Sequence, residues 1–300
     1  MWQPQPGWVP LAGGRGALTV GLWRVEEGGR RFAVKRVRRP GPDEPEYADP
    51  AGVGYWRREA EFALARVRHH GLVPPHVHRI DEDDDGFTVW TDEIAPAELG
   101  PPALFVVRAL ARLAADPAPE QPWVARGLLR SRLAFREGWP TLERTTFADL
   151  AAELWRRRSS LLDRCDALPA VPAHGDVVPS NLVGAVGDAV WAIDWGCYGV
   201  APAGADLGYY ALSCREDFEI LLDAYGAGLD EHGVAADRTD VAFVARMYAV
   251  YTVVSRAEWA LSRVAAGEGA LAGKFRHPAV APHLRALQRQ FPQIEALLTP

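Results

Sequence analysis

The chain is expected to be an α+β protein in which a small β-rich unit precedes a larger, mainly helical one, with a cleft between them. Three observations predict this. Up to about residue 94, short apolar runs alternate with glycine-rich and acidic turns. From Pro96 onward Ala, Leu and Arg recur with helical spacing. Between two helical segments, residues 171–199 turn β-like again and are punctuated by glycine. A length of 300 residues suits one large domain or two modest ones, and the composition shift divides it into residues 1–94 and 95–300.

In chain order, the cluster Gly13-Gly14-Arg15-Gly16 leads into two apolar runs, 17–25 and 31–37. The intervening Glu26-Glu27-Gly28-Gly29-Arg30 is a hairpin signal. Residues 40–50 read as a loop rich in Pro, Gly and acids. Over 55–67, Trp56, Phe62, Ala63 and Val67 recur at roughly helical spacing. That predicts a helix with Arg58, Arg66 and Arg68 on its surface and His69 and His70 at its C-terminal end. Ile80 and residues 87–90 flank Asp81-Glu82-Asp83-Asp84-Asp85-Gly86, a second hairpin. Its acidic tip is expected to be solvated, because side chains on extended backbone alternate in direction and do not converge on a metal. Helices are expected over 103–115, 147–168, 217–228, 239–265 and 282–298. The eleven tryptophans read mostly as packing residues.

The formal net charge of −6 speaks against a nucleic-acid binder that relies on broad phosphate neutralisation. Met1-Trp2-Gln3-Pro4 lacks a basic stretch ahead of an apolar one, and residues 241–254 are interrupted by Arg246 and too short to span a bilayer. No membrane partner is expected. Cys165, Cys197 and Cys214 form no CxxC pair and cannot all be bridged internally, so a reduced, cytoplasmic protein is expected, as monomer or homodimer. Of the 33 basic Lys and Arg residues, only Lys35 and Lys274 are lysine. Such a skew looks like a coding bias that replaces Lys wherever Arg serves. Arg does not replace Lys where a compact ammonium on a flexible stem is required, so a surviving lysine calls for an explanation; Lys274 offers none.

The chemistry concentrates in His174-Gly175-Asp176-Val177-Val178-Pro179-Ser180-Asn181, followed by Ile193-Asp194-Trp195-Gly196. An Asp and an Asn five apart on a loop, then an Asp after an apolar strand, supply what phosphoryl transfer needs. One carboxylate orients and accepts the proton of an attacking hydroxyl, while an amide oxygen and a second carboxylate hold Mg²⁺ against phosphates. Trp195, beside Asp194, either lines that site or packs in the core.

On these motifs the sequence resembles the aminoglycoside phosphotransferase and choline kinase group, small-molecule relatives of protein kinases, over about residues 11–226. The resemblance implies a bilobal protein-kinase-like fold, with residues 1–94 as nucleotide-binding lobe and 95–300 as helical lobe, and it implies ATP and Mg²⁺ as cofactors. Asp176 would be the catalytic carboxylate, Asn181 and Asp194 the metal ligands, and His174 a brace for the loop. Gly204-Ala205-Asp206-Leu207 is similar to the family's G-x-x-D-L, with Asp206 tying the catalytic loop down. Lys35, in Phe32-Ala33-Val34-Lys35, matches the strand lysine that reaches the nucleotide phosphates. Its carboxylate partner would be Glu59, which fits the family's R-E-A pattern, or else Glu61; the two point about 200° apart on a helix. Gly14 and Gly16, with Gly13, would form the turn over the phosphates through backbone N–H groups. Asp92, Glu93 and Ile94 would bind adenine through backbone groups.

Implied by the resemblance is ATP-dependent transfer to a hydroxyl of an antibiotic or natural product such as an aminoglycoside. A metabolic kinase of a sugar, amino alcohol or amino acid is the alternative, and a nucleotide-binding module without catalysis the third reading. A protein kinase is disfavoured: H-G-D stands in place of H-R-D and no A-P-E follows Asp194. Glu216, Asp217, Glu219 and Glu258, near Trp259, would suit a cationic acceptor if they face the cleft. Otherwise they are solvated helix charges.

Overall fold

The N-terminal sheet is built by short-range pairing. The computed structural model describes residues 2–13, 16–95, 100–265 and 271–299. Along the chain come β1 (Val9–Pro10), β2 (Thr19–Glu27), β3 (Arg30–Arg38), α1 (Arg58–Leu64), β4 (Leu72–Val73), β5 (Val77–Asp83) and β6 (Gly86–Asp92). β1, β2, β3, β6 and β5 lie in that order in one antiparallel sheet. Both expected hairpins are present, the first turning on Gly28 and Gly29, which both take positive φ. Alternation divides β3 cleanly. Phe32 and Val34 pack with Trp23, Val25 and Trp90 on one face, while Val37 joins Phe87, Val89 and Ala60 of α1 on the other. Lys35 shares the parity of Val37 and so faces α1.

The acidic tip of the second hairpin is not simply solvated. Asp83 pairs with the buried Arg36 at 2.6 Å, Asp81 accepts from Trp90 Nε1 at 2.9 Å, and Glu82 pairs with Arg57. Arginines supplied by the sheet and by the residue preceding α1 neutralise a run that local pattern alone leaves to water.

The second part contains α2 (Ala103–Ala114), α3 (Leu128–Ala134), α4 (Ala148–Asp166), β7 (Ala170–Ala173), β8 (Leu182–Val186), β9 (Ala189–Ala192), β10 (Gly199–Pro202), α5 (Ala205–Ala211), α6 (Phe218–Glu231), α7 (Arg238–Ala265), α8 (Leu271–Lys274), α9 (Ala281–Arg289) and α10 (Phe291–Leu298). The β-like interlude forms two small sheets, β10–β7 and β4–β9–β8. In the latter, Leu72 and Val73 from the N-terminal stretch pair in parallel with Val190 and Trp191. α7 is enclosed on nearly every side, from Val241 to Leu261, and is the axis of the helical core. The helix expected over 282–298 is broken in two at Gln290, because Pro292 lacks the N–H that would bond Gln288 O and its ring would crowd that carbonyl. No helix among the described residues is long and apolar enough to cross a membrane.

Arg58 is not on the surface, contrary to the helical-wheel expectation; it is fully buried at 0 % exposure. Its guanidinium uses all five N–H donors on carbonyls of three segments, two of them remote in sequence. Nε donates to Trp123 O at 2.7 Å, Nη1 to Val53 O at 2.9 Å and Gly196 O at 3.1 Å, and Nη2 to Pro50 O at 2.8 Å and Gly52 O at 2.6 Å. Burial with no carboxylate in contact pushes its pKa down to about 10, still charged at neutral pH. Arg66 and Arg68 are exposed as expected. His69 and His70 both bind Asp116 at the end of α2, at 3.0 and 2.5 Å.

An Arg58→Lys variant keeps the charge but has only three donors on one nitrogen, leaving at least two buried carbonyls unpaired. Stability is expected to fall by about 3 kcal/mol. Urea unfolding would register this as a lower midpoint at unchanged slope, and an unaltered midpoint would show that the clamp contributes nothing.

Candidate active site

β3 and α1 bring the first pair together. Lys35 Nζ lies 2.7 Å from Glu59 Oε2 and 2.8 Å from Asp194 Oδ1, so one ammonium bridges the helix to the loop after β9. Glu61, the alternative partner, instead holds Arg57 at 3.1 Å, four residues back along the chain. Burial alone would lower the Lys35 pKa, but the two carboxylates more than reverse it and hold the ammonium above its ordinary value. Burial raises the Glu59 pKa. Lys35 holds that of Asp194 low despite burial, so Asp194 stays ionised. Asp194 takes a left-handed backbone at φ 64°, costly for a residue with a Cβ and consistent with a site whose surroundings over-determine it.

The loop carrying Asp176 is held from below. Asp206, at the start of α5, accepts from His174 N at 2.7 Å and Gly175 N at 3.0 Å. Burial raises its pKa. His174 Nδ1 accepts from Asp176 N at 3.3 Å, which leaves Nε2–H to donate to Ile193 O at 3.0 Å. Gly175 sits at φ 80°, and a Cβ there would meet Cys197 O at 2.4 Å, so no other residue fits that turn. The Asp176 carboxylate receives the Tyr209 hydroxyl on Oδ1 at 2.6 Å and Asn181 Nδ2 on Oδ2 at 3.1 Å. Ile193 N donates to Asn181 O at 2.9 Å, which ties the Asn181 loop to the Asp194 loop.

With its amide nitrogen spent on Asp176, Asn181 keeps Oδ1 for a cation, and Asp194 supplies carboxylate oxygen. Two hard oxygen donors fit Mg²⁺, which takes few protein ligands and completes its shell with phosphate and water. Trp195 is a core residue. It is buried, stacks on Phe62 at 4.4 Å and donates Nε1 to Ala192 O at 2.8 Å.

Gly13 and Gly16 lie between β1 and β2, where Leu11 N bonds Leu22 O at 2.8 Å and Thr19 N bonds Gly16 O at 3.0 Å. Gly14 falls outside the described residues. In the segment after β6, Asp92 N donates to His76 O at 2.9 Å and Glu93 N to Arg31 O at 3.3 Å. The Glu93 carboxylate takes Arg24 Nε at 2.8 Å, which lowers its pKa. Only the Ile94 N–H of these three lacks a partner among the described residues.

The acids expected near the acceptor are turned elsewhere. Glu258 is buried with both oxygens on the N–H groups of Thr141, at 3.1 Å, and Leu142, at 2.8 Å. Glu219 pairs with Arg238 and Arg246, Asp217 caps α6, and Glu216 accepts from the backbone of Arg215. Beside Asp176 there is instead a cavity of about 250 Å³, lined by Arg132, Arg136, Tyr209, Thr252, Arg256 and Trp259 among others. Of these, sequence reading marked only Trp259, beside Glu258, and passed over the rest. Two signals were there to find: Arg132 falls on the apolar face of α3 with Leu128, Leu129 and Leu133, and Tyr209 lies one turn after Asp206.

Residues 8–244 match the model of the phosphotransferase enzyme family. No curated protein matches the chain. Among solved structures, a choline/ethanolamine kinase family protein from Mesorhizobium loti is similar over 97% of this chain and 92% of its own, with TM-score 0.55 and 18% identity. The Plasmodium vivax ethanolamine kinase Pv091845 is similar over 97% and 83%, at 0.56 and 11%. Aminoglycoside 2'-phosphotransferase-IIIa in its GDP complex is similar over 94% and 91%, at 0.52 and 15%. At such identities these likenesses show the fold, a protein-kinase-like one with a β-sheet lobe and a helical lobe. The family match spans most of the length: this chain belongs to the phosphotransferase enzyme family.

Proposed function

We propose that the chain transfers the γ-phosphoryl group of ATP to a hydroxyl of a small molecule seated beside Asp176. The observation that carries this reading is the ammonium of Lys35 bridging Glu59 and Asp194, with Asp194 tied through Ile193 and Asn181 to the loop of Asp176. In this reading Lys35 contacts the nucleotide phosphates, Glu59 holds it in place, and Asn181 and Asp194 hold Mg²⁺. The bound ion neutralises charge on the phosphate oxygens. The backbone between β1 and β2 that includes Gly16 covers the phosphates, and Asp92, Glu93 and Ile94 border the adenine.

Asp176 orients the acceptor hydroxyl and takes its proton as the new O–P bond forms and the bond from the γ-phosphorus to the β–γ bridging oxygen breaks. ADP and the phosphoester leave. Tyr209 and Asn181 fix the carboxylate from both sides, so positioning and electrostatics carry the catalysis. Of the two acceptor classes the sequence suggests, an antibiotic such as an aminoglycoside would need acids at the cavity. The arginines found there disfavour an aminoglycoside and a cationic amino alcohol alike, and favour an uncharged or anionic metabolite instead.

Asp176→Asn is expected to lower kcat by about 10²-fold or more while Mg·ATP affinity stays within a few-fold of wild type. A coupled ADP-release assay and calorimetry read the two quantities, and near-normal turnover would sink the assignment. Lys35→Arg places a wide planar fork where a point charge now lies between two carboxylates, and KM for ATP is expected to rise about tenfold or more. A fully active Arg variant would mean that the scarcity of lysine elsewhere says nothing about this position.

A further inference from the structure

We propose that the acceptor is an anion, a hydroxyl compound whose carboxylate or phosphate is held by Arg132, Arg136 and Arg256 next to Asp176. This rests on the phosphoryl-transfer reading above and adds the charge of the substrate to it.

Three guanidinium groups from two helices and the residues between α3 and α4 share one cavity. Among the described residues neither Arg136 nor Arg256 forms an ion pair or a side-chain hydrogen bond. Arg132 donates one Nη to Gly175 O in the candidate catalytic loop, and its Nη1 is buried without a partner. The hydroxyl of Thr252, on the cavity wall from α7, is likewise buried and unpartnered. Buried donors are rarely left this way unless something else satisfies them.

The nearest carboxylates, Glu258 and Asp176, leave at least one of the three charges unbalanced. Neither pairs directly with an arginine: Glu258 accepts from two backbone N–H groups, and Asp176 from Tyr209 and Asn181. A cationic acceptor would meet like charge from three directions. A carboxylate or phosphate would meet forks that match its geometry.

The cavity also adjoins the reacting position. The Tyr209 ring contacts two of the arginines, with Arg132 Cζ 5.0 Å and Arg256 Cζ 4.7 Å from its centroid, and its hydroxyl is the donor to Asp176. An acceptor anchored by its anionic end on these arginines therefore keeps a hydroxyl a short distance away, at the carboxylate. Trp259, 51% exposed, stands at the rim and offers an apolar face to the carbon skeleton. A volume of about 250 Å³ suits a compact metabolite of monosaccharide size rather than a multi-ring one.

The test uses five probes of one carbon skeleton: D-gluconate, D-glucose 6-phosphate, D-gluconate 6-phosphate, D-glucose and D-glucosamine. Each is titrated calorimetrically into the Mg·ADP-saturated protein, then assayed for ADP release with Mg·ATP. At least one anion is expected to bind about tenfold or more tighter than glucose, with glucosamine weakest. The carboxylate and phosphate arms show which anion the arginines prefer. Arg136→Gln/Arg256→Gln is expected to erase that advantage, and retained Mg·ADP affinity reports that the nucleotide cleft is folded.

Anions binding no tighter than glucose, or glucosamine binding tightest, would overturn the inference. So would a double variant that weakens Mg·ATP relative to Mg·ADP and leaves the probes unaffected, since the arginines would then serve the nucleotide. If the wild-type protein binds no Mg·ADP, the phosphoryl-transfer reading itself fails, and this inference with it.

Discussion

One buried guanidinium sets the geometry on which the candidate site depends. Arg58 holds the start of α1 to residues 50–53, to Trp123 and to Gly196, two residues beyond Asp194. Because Glu59 follows directly in α1, the clamp fixes the carboxylate that meets Lys35 relative to the loop that carries Asp194. No carboxylate touches Arg58, so its charge is stabilised chiefly by carbonyl dipoles, with the Tyr55 ring 5.8 Å away, an arrangement that tolerates little displacement. Lys35 then completes the connection from the strand side. The N-terminal sheet, α1 and the Asp194 loop are thus joined through two consecutive residues of one short helix.

Electrostatics divides the cleft into two parts. On one side Glu59 and Asp194 flank a single ammonium, with Asn181 on the adjoining loop, a setting made for cations and for the phosphates that accompany them. On the other, Arg132, Arg136 and Arg256 gather positive charge with no counter-ion in contact. Asp176 lies at the border, bound on one oxygen by Asn181 from the first part and on the other by Tyr209 from the second. A carboxylate so placed senses both halves at once.

Much of this was legible in the sequence because chemistry restricts residue type and spacing together. The Asp176–Asn181 interval and the Asp194 that follows an apolar strand are short-range patterns. Lys35 stood out against a background nearly free of lysine. Glu59 and Glu61 were not separable by pattern, since both lie on one short helix, and only the third dimension assigns Glu59 to Lys35. Arg58 was misjudged because its partners at residues 123 and 196 are remote in sequence. The arginine cavity was invisible for the same reason, being assembled from α3, α5 and α7. The acids on α6 and α7 misled because a charge at helical spacing says nothing of whether its partner is solvent, an arginine or a backbone N–H group. The break at Gln290 was readable from Pro292 and marks a local rule set aside in favour of a long apolar pattern.

The parallel pairing of β4 with β9 places Leu72 and Val73 against residues synthesised more than a hundred positions later. α1 is in the same situation, since Arg58 waits for Trp123 and Gly196. The strands of the five-stranded sheet close locally as they emerge, whereas the segment from Arg58 to Val73 has no complete set of partners until the chain has passed Gly196. During translation this protein therefore carries an unfinished, apolar-faced stretch beneath an already formed sheet, with Phe62, Leu72 and the buried guanidinium still exposed to solvent. The residues that position Lys35 and Asp194 therefore cannot be assembled before the chain has passed Gly196.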